Sequence, residues 1–211
     1  MNFSFFKAAS VRKDASANDK SHFLSRYFAV PTAYFCYRLG LSANQVTGLF
    51  LIVGLAAGAA IYLHMALLGY ALWRLHVVLD MADGNLARAT KRFSANAVGF
   101  DRSNHIAINT TMLLAPLLSS GSILLANALT VAFFLHYFFF RNFDAGAKSS
   151  AQDLSLTKSV IRHALGIEGY IAVCALLILS GVPHLLVPAA WIYTMCFLLL
   201  FLAKLSRRLG T

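Results

Sequence analysis

Six long apolar runs, each close to the roughly 20 residues that a helix needs to cross a hydrocarbon core, restrict this chain to very few folds. They fall near 46–66, 69–90, 97–118, 121–141, 159–181 and 184–204 of a 211-residue sequence. So much apolar surface cannot be hidden in one small soluble core. Hydrophobic residues make up 59% of the chain and charged ones 12%, against about 45–50% and about 25% in soluble domains. The runs are continuous and do not alternate residue by residue, which argues against a membrane β-barrel. The expectation is an all-α membrane protein with six transmembrane helices. Cys36, Cys174 and Cys196 are scattered and odd in number, so neither a disulfide framework nor a zinc site is expected.

The basic residues orient these runs. The breaks His64–Tyr70, Ser119–Ser122 and Gly181–His184 contain no Lys or Arg. The opposite side carries Lys7, Arg12, Lys13, Lys20, Arg26 and Arg38, then Arg88, Lys91 and Arg92, then Arg141, Lys148, Lys158 and Arg162, and finally Lys204, Arg207 and Arg208. This asymmetry places both termini in the cytoplasm, in what is expected to be a bacterial cytoplasmic (inner) membrane. The net charge of +10 therefore points to anionic membrane lipid as the partner, and nucleic acid is not expected. Residues 1–20 lack the apolar core of a cleavable signal and read as a flexible polar tail. Ser21–Gly40 mixes aromatics with Arg26 and Arg38, as an amphipathic helix on the cytoplasmic face would, started or interrupted at Pro31. Residues 21–208 form a single membrane domain without an internal repeat.

Charges inside a span are costly and mark functional sites. Here they concentrate between Val77 and Asn109. Asp80 and Asp83 stand three apart, so a helix projects both carboxylates from one face. Gly84 and Ala87 leave room beside them, and Arg88 follows. Ala97, Asp101, His105 and Asn109 then recur at four-residue intervals along one face of the next run. Three carboxylates converging in a low dielectric repel one another, and a divalent cation removes that repulsion. Oxygen ligands suit Mg2+ or Mn2+, and two such ions about 3.5–4 Å apart would suit a phosphoryl displacement. Interhelical hydrogen bonding is the plainer alternative.

The pattern resembles the signature of the CDP-alcohol phosphatidyltransferases, D-x2-D-G-x2-A-R-x8-G-x3-D-x3-D. Asp80, Asp83, Gly84, Ala87, Arg88 and Asp101 supply six of its eight positions at matching offsets. The resemblance implies six transmembrane helices with an N-terminal cytoplasmic amphipathic helix, and assembly as a homodimer. It also implies transfer of a substituted phosphate from a CDP-linked lipid donor, CDP-diacylglycerol above all, to an acceptor hydroxyl with release of CMP. Asp80, Asp83 and Asp101 would hold the metal, Asp80 and Asp101 bridging two ions. Gly84 and Ala87 would let the nucleotide lie close, and Arg88 would meet the donor's pyrophosphate or brace the carboxylates. Ser94 would offer a donor-contacting hydroxyl. Leu41–Thr47 looks like the start of the family's first membrane helix, with Asn44 and Thr47 facing the cytidine.

Two positions depart from the pattern. Ala97 replaces a glycine, and His105 replaces the last aspartate, the family's general base and second-metal ligand. An imidazole can accept a proton from an attacking hydroxyl near neutral pH and can ligate a metal, with Asn109 one turn on to orient the ring. It can also mark a weakened or inactive paralogue that binds nucleotide or lipid; a small transporter whose carboxylates line an ion path is the remaining alternative. Lys158 and Arg162, four apart, are candidates for an anionic acceptor pocket, against a role in positive-inside anchoring. Arg74 and Glu168 are either an intramembrane pair, or a snorkelling arginine and a glutamate that is protonated or faces a cavity. Phe133–Phe140 reads as an aromatic belt or a lipid- or dimer-facing surface.

Overall fold

The computed structural model of the chain describes residues 1–10, 23–93, 96–143 and 164–209, and the regular structure among them is entirely helical. The helices are α1 (Phe3–Ser10), α2 (Phe23–Arg38), α3 (Ala43–Tyr62), α4 (Ala66–Thr90), α5 (Ala97–Leu118), α6 (Ile123–Phe143), α7 (Ile167–Leu179) and α8 (Leu186–Leu209), the last preceded by the 3-10 turn Pro183–Leu185. Local chemistry sets several of these ends. Ser42 caps α3 in a reciprocal box with Gln45, its backbone N–H donating to Gln45 Oε1 at 2.8 Å. Lys91 stops α4 in the left-handed region (φ 53°), which lets the Arg92 N–H reach back to the Ala87 carbonyl. Gly121 and Gly181 supply the positive φ of two tight hairpin turns.

α3 is the keystone of the packing. It lies against both α4 and α5, whereas α4 and α5 make almost no close backbone approach to each other. Glycines on α3 permit this. A Cβ at Gly54 would stand 2.6 Å from Ile108 Cδ1, and one at Gly58 would collide with the Thr111 methyl group. α4 is further covered by α1, α2 and α7, and α5 by α6, α7 and α8. The core runs between these layers through Phe50, Ile61, Leu86, Ile108, Met112 and Tyr170, all fully buried.

Two sequence expectations need correction. Residues 1–20 are not wholly a polar tail, because Phe3–Ser10 form a helix and Phe6 is completely buried against Tyr34 and Tyr37. Pro31 neither starts nor interrupts α2 but sits inside it. α2 also runs along α4: Ser25 meets Arg74 at one end, and Tyr37 to Leu41 share a cleft with Leu86 and Ala89 at the other. It packs through the small-residue stripe Ser25, Ala29, Ala33 and Cys36 and turns Tyr27, Phe28 and Phe35 outward. Of the six expected spans, two segments among the described residues, Ala43–Tyr62 and Pro183–Ala203, are long and apolar enough to cross a membrane. Ile123–His136 and Ile167–Leu179 are shorter apolar stretches. α4 and α5 are long enough, but the polar faces at issue interrupt their apolarity.

The fifth apolar run is described as regular helix only from Ile167. Ahead of it, Tyr193 Oη donates to the Ala164 carbonyl at 2.8 Å, and Gly169 leaves space for that carbonyl where any Cβ would collide. Glu168, in the first turn of α7, pairs with Arg74 of α4 at 2.6 Å, and the same guanidinium donates to Ser25 Oγ of α2 at 2.7 Å. Three helices therefore meet at one arginine. Each change breaks this partly buried, charge-assisted contact, so Arg74→Met and Glu168→Gln are each expected to lower unfolding free energy by about 2 kcal/mol. The double variant should lose clearly less than the sum, as read by denaturation of the detergent-solubilised protein.

Candidate metal centre and donor site

The four-residue interval of α5 and the position of Asp80 on α4 bring three ligand-type side chains together. His105 Nε2 lies 3.2 Å from Asp80 Oδ1 and 3.3 Å from Asp101 Oδ1, and one ligand atom from each residue falls within 4.8 Å of the others. All three side chains are half-buried. The donors reach across the interval that α3 keeps between α4 and α5. Ligands about 2.1 Å from an octahedral Mg2+ stand about 3.0 Å apart in cis, close to both His105 distances. Two carboxylates and an imidazole are thus a donor set that could hold a metal ion, and the nitrogen suits Mn2+ better than Mg2+.

The His105 ring is held by packing. Phe50, fully buried on α3, lies against it with ring centroids 5.6 Å apart. Asn109 is buried, and no hydrogen bond links it to that ring among the described residues, so the orienting group is aromatic and not the expected amide. His76, one turn before Asp80, is taken up by structure. Its Nδ1 donates to the Trp73 carbonyl at 2.6 Å, and the ring stacks near Trp73 at 4.3 Å.

Asp83 stands outside the three-residue cluster. Its Oδ2 accepts a hydrogen bond from Thr47 Oγ1 at 2.5 Å, and Asn104 Nδ2 donates to the Thr47 carbonyl at 3.3 Å. Thr47 therefore faces a carboxylate here, where the resemblance directs it to cytidine. Arg88 Nε donates to the Ser10 carbonyl at 2.8 Å and Nη2 to Asn85 Oδ1 at 2.7 Å. Its guanidinium lies over Gly84, with Nη1 3.3 Å from where a Cβ would be. Ala87 is half-buried on the same helix. Asn44 lines a cleft of about 560 Å³ together with Met1, Tyr37, Ser42, Thr90 and Arg92. Ser94, Lys158 and Arg162 lie outside the described residues.

Asn85, Asn104 and Phe50 are site residues that sequence reasoning passes over. Asn85 carried one usable signal, three residues before Arg88 on the same helical face. Phe50 carried none, being one apolar residue in an apolar run. No protein-family model, curated protein or solved structure matches the chain. If the cluster binds a cation, Mn2+ at about one hundred times its Kd should add about 2.7 kcal/mol to unfolding. Thermal denaturation with and without Mn2+ reads this, and Asp80→Asn and Asp101→Asn should each abolish the increment.

Proposed function

We propose that the protein is an integral membrane, metal-dependent transferase of the CDP-alcohol phosphatidyltransferase type. It moves a substituted phosphate from a CDP-linked lipid, CDP-diacylglycerol above all, to an acceptor hydroxyl. The observation that carries this reading is the convergence of Asp80, Asp101 and His105 from two helices, at the sequence offsets of the signature. The large apolar side chains facing outward from several helices, including Ile52, Leu67, Leu124 and Trp191, suit a lipid environment. The reading includes six spans with both termini in the cytoplasm, and a homodimer as in the family that the signature resembles.

In this reaction the acceptor oxygen forms a bond to the lipid-linked phosphorus, the bond from that phosphorus to the CMP oxygen breaks, and the hydroxyl proton passes to His105 Nε2. Asp80 and Asp101 hold the cation, which supplies positive charge at the donor pyrophosphate. Asp83, oriented by Thr47, completes the acidic face, and Arg88 neutralises charge developing on the departing CMP. Lipid acyl chains stay in the bilayer while the CDP head enters from water by the Asn44 cleft.

A second reading has its own support. An imidazole between two carboxylates satisfies both without a metal, as in a paralogue whose chemistry has weakened. Purified protein incubated with CDP-diacylglycerol, Mn2+ or Mg2+ and a panel of hydroxyl acceptors, with CMP and lipid products read by mass, separates the two. The enzyme reading expects CMP release that Asp83→Asn removes and that His105→Ala lowers by about 10²–10⁴-fold, with His105→Asp restoring at least part. A silent wild type that gains activity with His105→Asp supports the paralogue. Full activity in Asp83→Asn refutes the assignment of that carboxylate, and ion flux without CMP would indicate a transporter.

A further inference from the structure

We infer that α1 is an autoinhibitory strap that holds Arg88 in a resting arrangement and must yield for a nucleotide diphosphate to bind; the competition it describes rests on the donor reading above. α1 brackets the candidate donor site from both ends. Met1, two residues before its start, lines the Asn44 cleft, and its amine lies 3.5 Å from Tyr37 Oη. Its last residue, Ser10, is fully buried and presents its carbonyl to Arg88 Nε at 2.8 Å. That carbonyl belongs to the C-terminal end of a helix, where the partial negative charge favours a cation. A guanidinium can grip phosphate side-on, through Nε–H paired with an Nη–H. In this arrangement Nε–H is committed to α1 and Nη2 to Asn85, so a phosphate taken side-on and the Ser10 carbonyl call on the same donor.

The strap is built to release. α1 has eight residues, well under the roughly 12–15 at which an isolated helix becomes even marginally stable. Its docking depends on Phe6, which is completely buried with Tyr34 and Tyr37 at ring-centroid distances of 5.4 and 5.5 Å. Losing the Arg88 contact therefore leaves Phe6 alone to hold an element that is too short to stay helical once undocked.

CDP with Mn2+ is the probe, used on the full chain in detergent. Hydrogen exchange of the Phe3–Ser10 amides should speed up when CDP binds the wild type. Phe6→Ala, which loosens the strap without touching a donor contact, should bind CDP three- to tenfold more tightly by calorimetric titration, roughly the net value of one hydrogen bond. CDP binding with unchanged exchange of those amides overturns the strap and leaves the transferase reading standing. So does a Phe6→Ala variant that binds CDP no better than wild type. Absence of CDP binding in both proteins overturns the donor reading and the strap together.

Discussion

Acidic side chains on three helices of an apolar bundle must find their partners inside it, and that requirement organises this protein. A carboxylate facing hydrocarbon is too costly to leave alone. Asp80 and Asp101 converge on one imidazole, Asp83 takes a hydroxyl from α3, and Glu168 takes a guanidinium from α4. Each partner sits on a different helix from the acid it serves, except for the bond within α5 between Asp101 and His105. The polar contacts thereby fix the relative placement of α2, α3, α4, α5 and α7, which apolar contacts among similar Leu, Ala and Phe surfaces would specify only loosely.

The site exists because α3 keeps α4 and α5 apart. Carboxylates alone would push the two helices away from each other, and a direct α4–α5 contact would leave no room for a ligand. Gly54 and Gly58 let α5 settle closely on α3 while α4 lies on another side of it. Apolar packing thus sets the width of the interval, and the side chains of Asp80, Asp101 and His105 span what remains. Phe50 belongs to the same helix and fixes the plane of the His105 ring, so α3 determines both the spacing and the orientation of the cluster.

Placing histidine where the signature has aspartate ties two roles together. Nε2 has one site for a proton or a lone pair. Facing two carboxylate oxygens at 3.2 and 3.3 Å, it is stable there as an N–H donor, because a bare lone pair would oppose theirs. To accept a proton from a hydroxyl, Nε2 must first be free of that hydrogen, and the carboxylates must then be held by something else. An aspartate at this position carries no such condition, since all its lone pairs are acceptors. Under the proposed transferase reading, base catalysis by His105 would therefore require a cation held by Asp80 and Asp101.

Much of the polar arrangement was legible in the sequence because it is local and periodic. The three-residue interval of Asp80 and Asp83 and the four-residue interval of Asp101 and His105 fix helical faces, and α5 begins and ends where hydropathy places it. Contacts between distant segments were not legible. Thr47 to Asp83, Arg88 to Ser10 and Phe50 to His105 depend on how helices cross, and nothing in the spacing of either partner encodes the other. The N-terminus misled for a compositional reason. A polar average over residues 1–20 conceals Phe3, Phe5 and Phe6, and a single fully buried phenylalanine suffices to dock a short helix once Tyr34 and Tyr37 offer it a surface. α2 misled through its aromatics, which suggested a surface-lying helix. Its small residues every three or four positions are what let it lie along α4, and they became significant only when a partner helix was in place to receive them.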